Sequence, residues 1–161
     1  MNGEESEKIL ERIEELGLRD NIIFHDFFPQ QVDMLNYVHQ ARFALLPVKL
    51  DYISCTILQA LEMEMPVVTH ITSGTPSINK DRETVLLSDI GDFQETANNM
   101  LRLLKEPELA KKLAQNGLMY MQKHHEKAKK SVEQRVKQYR AVIDNYNYGT
   151  PIPDELLEMD T

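Results

Sequence analysis

Residues 47–76, PVKLDYISCTILQALEMEMPVVTHITSGTP, constrain the fold of this chain more than any other stretch. An apolar run ends in a proline and a polar turn follows. Ile57, Leu58 and Leu61 then recur at helical spacing, a second apolar run starts at Pro66, and a glycine-bearing loop closes the segment. Apolar runs that do not alternate with polar residues read as strands buried on both faces, and two such strands joined through a helix are parallel. The turn, the helix N-terminus and the loop then share one edge of a parallel sheet, the edge at which α/β proteins take ligands.

The rest of the chain repeats this alternation. Ile9, Leu10, Ile13 and Leu16 predict a helix over 4–16, with Gly17 and Leu18 as its C-terminal cap. IIFHDFF predicts a strand over 22–25, and Val32, Leu35 and Val38 a second helix that Pro29 opens and that ends near Gln40. RFALLPV is the next strand, and Ser54 is the expected N-cap of a helix over 54–64. PVVTHI and ETVLLSD supply two more strands, separated by a polar loop, TSGTPSINKDRE. Asp92 is placed to cap a helix with Phe93, Ala97, Met100, Leu101 and Leu104, and Pro107 opens another that runs past Gln122. From Ser131, the residues Val132, Val136, Tyr139, Ile143 and Tyr146 follow a 4-3-4-3 rhythm, the seam of a long helix packed on something outside itself, with another domain as the expected partner. The expectation is an α/β fold: a Rossmann-like parallel sheet of about four strands flanked by helices over residues 1–147, with a long C-terminal helix. An acidic, proline-containing, loosely held tail over 148–161 follows.

Charge and composition exclude several classes of function. With 26 acidic against 18 basic residues the formal net charge is −8, which repels nucleic-acid phosphates, so no nucleic-acid partner is expected. The start, MNGEESEKILERIEEL, is acidic and amphipathic, unlike an export signal, and the lone Cys55 cannot form an internal disulfide; both point to the cytoplasm. The basic residues late in the chain alternate with apolar ones at helical spacing, which reads as a solvated helix face, with contact to an anionic membrane as the alternative. His25, His39, His70, His124 and His125 lack zinc-type spacing, and no aspartate-x-aspartate pair is present for a divalent ion on a diphosphate; no metal or cofactor is expected.

The pattern Asp51, seven residues, Gln59, then Pro66-Val67-Val68 resembles the C-terminal, nucleotide-sugar-binding half of GT-B glycosyltransferases of the group 1 type. Such proteins carry an acidic residue after a strand ending in proline, a glutamate on the following helix, and a Pro-Val-Val strand. NIIFHDFFPQQVDMLNYVHQARFALLPV is similar to the elements ahead of that motif, and SGTPSINKDRETVLLSDIGD and DFQETANNMLRLLKEPELAKKLAQNG to those after it, so the resemblance covers roughly residues 4–147.

The resemblance implies binding of a UDP- or GDP-sugar type donor for carbohydrate biosynthesis, as part of a hexosyl transferase that retains anomeric configuration. Asp51 would accept hydrogen bonds from sugar hydroxyls, and Gln59, standing where the family has glutamate, would accept a ribose bond without charge assistance. Ser54, Cys55 and Thr56 at the helix N-terminus, and Ser73, Gly74 and Thr75 in the loop, would face the sugar or diphosphate, with glycine leaving room for close approach. Lys49, Lys80 and Arg82 are candidate diphosphate contacts. Glycines common in the family are replaced by Asp26, Tyr52 and Glu64, and a glutamate by Ser77. The family's first strand, its basic pair, the acceptor-binding half and the catalytic base do not occur in these residues, so the chain is expected to act as a fragment or detached module that does not transfer sugar alone.

Each residue has a plainer reading. Asp51 serves equally as a turn residue or helix cap, and Gln59 as a surface side chain. Cys55 beside a helix N-terminus could be a nucleophile, but without a histidine partner motif it reads as a small packing residue. The three cations read as solvated loop charges. The competing function is a non-catalytic module for nucleotide-sugar binding or protein interaction; a flavodoxin-like signalling domain would need more acids at the first strand than Asp26.

Overall fold

The computed structural model describes residues 3–50, 52–81 and 83–157, and the chain divides into two compact units, residues 1–38 and 39–161. In the first, α1 spans Gly3–Glu15 and α2 spans Gln31–Val38. Leu18 N donates to Ile13 O at 3.0 Å and Gly17 N to Glu14 O at 2.9 Å, the paired bonds of a Schellman end, with Gly17 at φ 63°. The cap expected at Gly17 is therefore present. The strand expected over 22–25 is not: residues 22–28 carry no ladder, and two of their side chains pack on α2, where His25 hydrogen-bonds Tyr37 and the Phe28 ring lies 5.7 Å from that of Tyr37, while Ile23, Phe24 and Phe27 are exposed.

The second unit holds a sheet of three parallel strands, β1 (Ala44–Leu46), β2 (Val67–His70) and β3 (Leu86–Ser88), in that order. Among the described residues the sheet thus has three strands where about four were expected. Leu45 sits opposite Val68, and Thr69 opposite Leu87. β2 is central and buried throughout, which is why Pro66-Val67-Val68 does not alternate. One face packs Val67 against Ile57 and Leu61 of α3 (Cys55–Glu62), Ile78 of α4 (Thr75–Ile78) and Met121 of α6 (Pro107–Tyr148). The other packs Val68 and Leu86 against Leu103 of α5 (Phe93–Lys105) and Leu113 of α6.

β3 is an edge strand whose outward-facing backbone is satisfied by asparagines. Asn79 Oδ1 accepts from Val85 N at 3.1 Å and its Nδ2 donates to Val85 O at 3.0 Å, which reproduces a strand partner with one side chain. Asn99 Nδ2 donates to Leu87 O at 3.1 Å. That bond sets the rotation of α5: Asn99 and Leu103 are buried, while Phe93, Leu101 and Leu104, expected on the apolar face, are exposed. Asp92 does cap α5, accepting from Glu95 N at 2.9 Å.

α3 ends in a second Schellman pair, Met65 N to Ala60 O at 3.0 Å and Glu64 N to Leu61 O at 3.1 Å, with Glu64 forced to φ 55°. Glutamate in the left-handed region crowds its Cβ against backbone, so Glu64→Gly is expected to raise unfolding stability by about 1 kcal/mol, measured by denaturant titration. An unchanged or lower midpoint would show that the strain is absent.

The polar loop after β2 contains the single turn α4, started by Pro76 at its N-terminus. α6 is one continuous helix of 42 residues, not two, because no glycine or proline occurs between Gly117 and Gly149, and Gly149 ends it at φ 70°. The segment read as a loose tail returns along α6 over residues 150–157: Gln138 Nε2 donates to Leu156 O at 2.8 Å and Asn145 Nδ2 to Thr150 O at 2.9 Å. Among the described residues no helix is long and apolar enough to cross a membrane.

Candidate functional site

Because the strands are parallel, the segments leaving β1, β2 and β3 emerge on one side. There Lys49, Leu50, Tyr52, Ile71, Thr72, Ser73 and Ile90 line an open cleft of about 570 Å³. Each strand contributes to it, as a sheet's carboxyl edge does in α/β binding proteins. Among the described lining residues Lys49 is the one charged side chain, and it stands beside apolar and hydroxyl surface.

A hydroxyl network holds the loop after β2. Thr75 Oγ1 donates to His70 O at 3.0 Å and accepts from Thr72 N at 2.8 Å, Thr72 Oγ1 donates to Tyr52 O at 3.1 Å, and Ser77 Oγ donates to Gly74 O at 2.6 Å. Thr72 thus ties the loop to the turn after β1. Its spacing from Thr75, a reciprocal pair three residues apart, was the sequence signal that could have identified it.

The sequence-predicted residues fall into three groups. Lys49 and Ser73 line the cleft. Gly74 and Thr75 are buried behind it: a Cβ on Gly74 would lie 2.1 Å from Tyr52 O, so the space beside this glycine holds protein backbone where room for a ligand was expected, and the Thr75 hydroxyl is spent inside the loop. Ser54, Cys55, Thr56 and Gln59 sit on the first turns of α3 and are not among the cleft's lining residues. Ser54 has the extended backbone of an N-cap, at φ −65° and ψ 135°, but its hydroxyl bonds Thr56 Oγ1 at 2.7 Å and caps no amide. Cys55 is exposed, against its reading as a packing residue.

Lys80 is not at the ligand edge. It follows α4 in the loop that leads to the start of β3, and a parallel strand starts at the opposite edge from the one where its neighbour ends. Next to it Asp81 accepts from Lys123 Nζ at 2.9 Å, and that ammonium holds the exposed Asp81 carboxyl below the ordinary aspartate range. Asp51 and Arg82 lie outside the described residues.

Sequence reasoning missed Leu50, Tyr52, Ile71, Thr72 and Ile90 as lining residues, since the apolar ones carry no motif of their own. It also passed over His70, whose ring is buried at the end of β2 with Nδ1 lacking a hydrogen-bond partner. Among the described residues no three His, Cys, Asp or Glu side chains are grouped to hold a metal ion.

Comparison with known proteins agrees with this architecture. The chain is 27% identical over 106 residues to alpha-D-kanosaminyltransferase of Streptomyces kanamyceticus, covering 63% of this chain and 26% of that protein. It is 33% identical over 92 residues to glycosyltransferase 1 domain-containing protein 1 of Xenopus tropicalis, covering 56% and 26%. The chain therefore spans about a quarter of the length of these relatives. Its structure superposes on sucrose-phosphate synthase of Thermosynechococcus elongatus with TM-score 0.75 at 23% identity, over 88% of this chain and 36% of that one. It matches the C-terminal domain of a glycosyl transferase group 1 family protein of Francisella tularensis with TM-score 0.68 at 18% identity, over 77% and 64%. Those neighbours share the α/β fold of GT-B glycosyltransferases. The profile of the glycosyl transferases group 1 family matches residues 2–119, and the chain belongs to that family.

Proposed function

We propose that this chain binds a nucleoside-diphosphate sugar at the carboxyl edge of its sheet, as the donor-binding part of a retaining transferase whose acceptor site and catalytic base lie on another domain. The observation that carries this reading is the cleft formed by all three strand ends in a member of this family. Lys49 would oppose the diphosphate, and Ser73 would present its hydroxyl to the sugar. By the family pattern, Asp51 would hold sugar hydroxyls and Gln59 a ribose hydroxyl. Catalysis would come from positioning the donor and from stabilising negative charge on the departing diphosphate, with no metal or cofactor required. The setting is cytoplasmic.

Calorimetric titration with UDP and GDP tests the reading. The chain is expected to bind one of them, and Lys49→Ala to weaken binding about tenfold, the loss of one charge-assisted contact; Asp51→Ala should weaken binding of the corresponding nucleoside-diphosphate sugar and leave the bare nucleotide unaffected. Donor turnover without an added acceptor domain should be absent, and vigorous transfer by the chain alone would overturn the division of labour. A second reading, a non-catalytic module, is favoured by two observations: Tyr52 backbone fills the space beside Gly74, and Ser54 to Thr56 are not among the cleft's lining residues. A folded chain that binds neither nucleotide would establish it.

A further inference from the structure

The outer side of α6 carries a row of lysines that neither the core nor the cleft uses. Lys123, Lys127, Lys130 and Lys137 are exposed and recur at steps of four, three and seven residues, which sets them on one stripe of the helix over about 21 Å. Met121, which packs in the core, and the apolar residues Val132, Val136 and Tyr139 lie about half a turn round the helix from this row. A domain seated on the apolar side would therefore leave the lysines uncovered.

At its N-terminal end the row meets a loop from the sheet. Lys80 and Asp81 follow α4, and Asp81 accepts from Lys123 Nζ at 2.9 Å. Lys123 above all, and then Lys80 and Lys127 through their charge, hold the exposed Asp81 carboxyl below the ordinary aspartate range, so several ammonium groups gather about one carboxylate. Asp81, Tyr120, Lys123, His124 and Lys127 line a pocket of about 140 Å³, in which the Tyr120 and His124 rings stack with centroids 6.1 Å apart. Further along, Glu155 shares a hollow with Lys130 and Lys137, and Glu126 and Glu133 fall on one flank of the row. The lysines still outnumber these carboxylates along the face itself.

We propose that this row is a docking face for an anionic lipid surface, with Lys80, Lys123, Lys127, Lys130 and Lys137 opposing headgroup phosphates and one phosphate entering the pocket beside Tyr120. Lysine is a point charge on a flexible stem and suits diffuse attraction to such a surface, whereas arginine serves forked recognition of single phosphates, and Arg135 and Arg140 stand on other faces of α6. The side of a straight helix is convex and meets a flat surface along a line; a polynucleotide strand is tracked instead by a groove with stacking aromatics. The row carries no apolar wedge, so contact stays at headgroup level. A formal net charge of −8 repels the remaining surface from anionic lipid and turns this face toward it. Lys80 and Asp81 lie at the sheet edge opposite the cleft, so docking leaves the cleft clear, whatever it binds.

Co-sedimentation of the full chain with vesicles tests this. At low salt the chain is expected to pellet with vesicles of phosphatidylglycerol and phosphatidylcholine in equal parts, to stay in solution with phosphatidylcholine alone, and to be released as salt rises. Each lysine near the surface is worth about fivefold in partitioning, so Lys127→Glu combined with Lys130→Glu should lower binding more than tenfold. Both side chains are exposed, and helical circular dichroism should not change. Lys111→Glu, on another face of the same helix, should lower binding by less than about threefold. Equal uptake by both kinds of vesicle would assign binding to the exposed apolar seam and overturn the proposal. No uptake, indifference to the double reversal, or an equal loss with Lys111→Glu would overturn it too, as would binding of inorganic polyphosphate without binding of vesicles, which would give the face to a dissolved polyanion.

Discussion

Asn79→Ala is expected to destabilise the protein by about 3 kcal/mol or more, the largest effect of any single substitution considered, although Asn79 is neither in the core nor in the cleft. Its Oδ1 accepts from Thr84 N at 2.8 Å, Thr84 Oγ1 at 2.9 Å and Val85 N at 3.1 Å, and its Nδ2 donates to Val85 O at 3.0 Å. Thr84 and Val85 are buried at 0% and 1% exposure, so water cannot replace those bonds without opening the start of β3. A buried donor or acceptor left unpaired costs roughly 1–3 kcal/mol, and alanine would orphan three backbone groups together. Asn79→Asp separates the two halves of the role. It keeps the acceptor, but sets a carboxylate against Val85 O until protonation supplies a donor, which raises the carboxyl's folded pKa. Stability gained from such a group is present at low pH and lost as pH rises through that pKa, so the deficit of this variant should narrow on acidification. Denaturant unfolding of both variants at two pH values is the measurement. A cost under about 1 kcal/mol for alanine would mean that the edge strand is satisfied by other means.

Gly74→Ala is the second large effect, expected at about 2–3 kcal/mol. The added Cβ would lie 2.1 Å from the oxygen and 2.5 Å from the carbon of the Tyr52 carbonyl. Those atoms are backbone, so relief requires the turn after β1 to move, and no side-chain rotation suffices. Tyr52→Ala should therefore fail to rescue Gly74→Ala, and rescue would show that the clash is with the ring. Because Tyr52 and Leu50 line the cleft, the double readout is a lower unfolding midpoint together with weaker nucleotide binding. The same geometry explains why Gly74 is required: with no Cβ it leaves the space that the Tyr52 backbone occupies.

Much of this architecture was legible before any coordinates. Val67 and Val68 read as a central strand with the flanking apolar runs as its parallel neighbours, Ile57 and Leu61 showed which way α3 faces, and Gly17 and Asp92 marked helix ends by local chemistry that needs no tertiary partner. The candidate site was less legible. Lys49 and Ser73 were found because they lie on the loops that any parallel sheet places at its carboxyl edge. Lys80 was misplaced because distance along the chain from that edge does not tell whether a loop has already crossed to the other one. Gly74 was assigned to ligand access because a sequence shows that a glycine is required, but not what fills the space beside it.

The sequence by itself determined the α/β alternation, the parallel sense of the strands and the apolar seam on the C-terminal helix, since each follows from periodicity and from the polarity of neighbouring side chains. Only the tertiary structure decided that residues 22–28 pair with no strand, that one asparagine stands in for a missing neighbour of β3, and that α5 turns its asparagine inward and three apolar residues outward. Those outcomes depend on which backbone groups are left without partners once the elements pack. A hydrogen-bond deficit of that kind belongs to the assembled fold and has no counterpart in the pattern of residues along the chain.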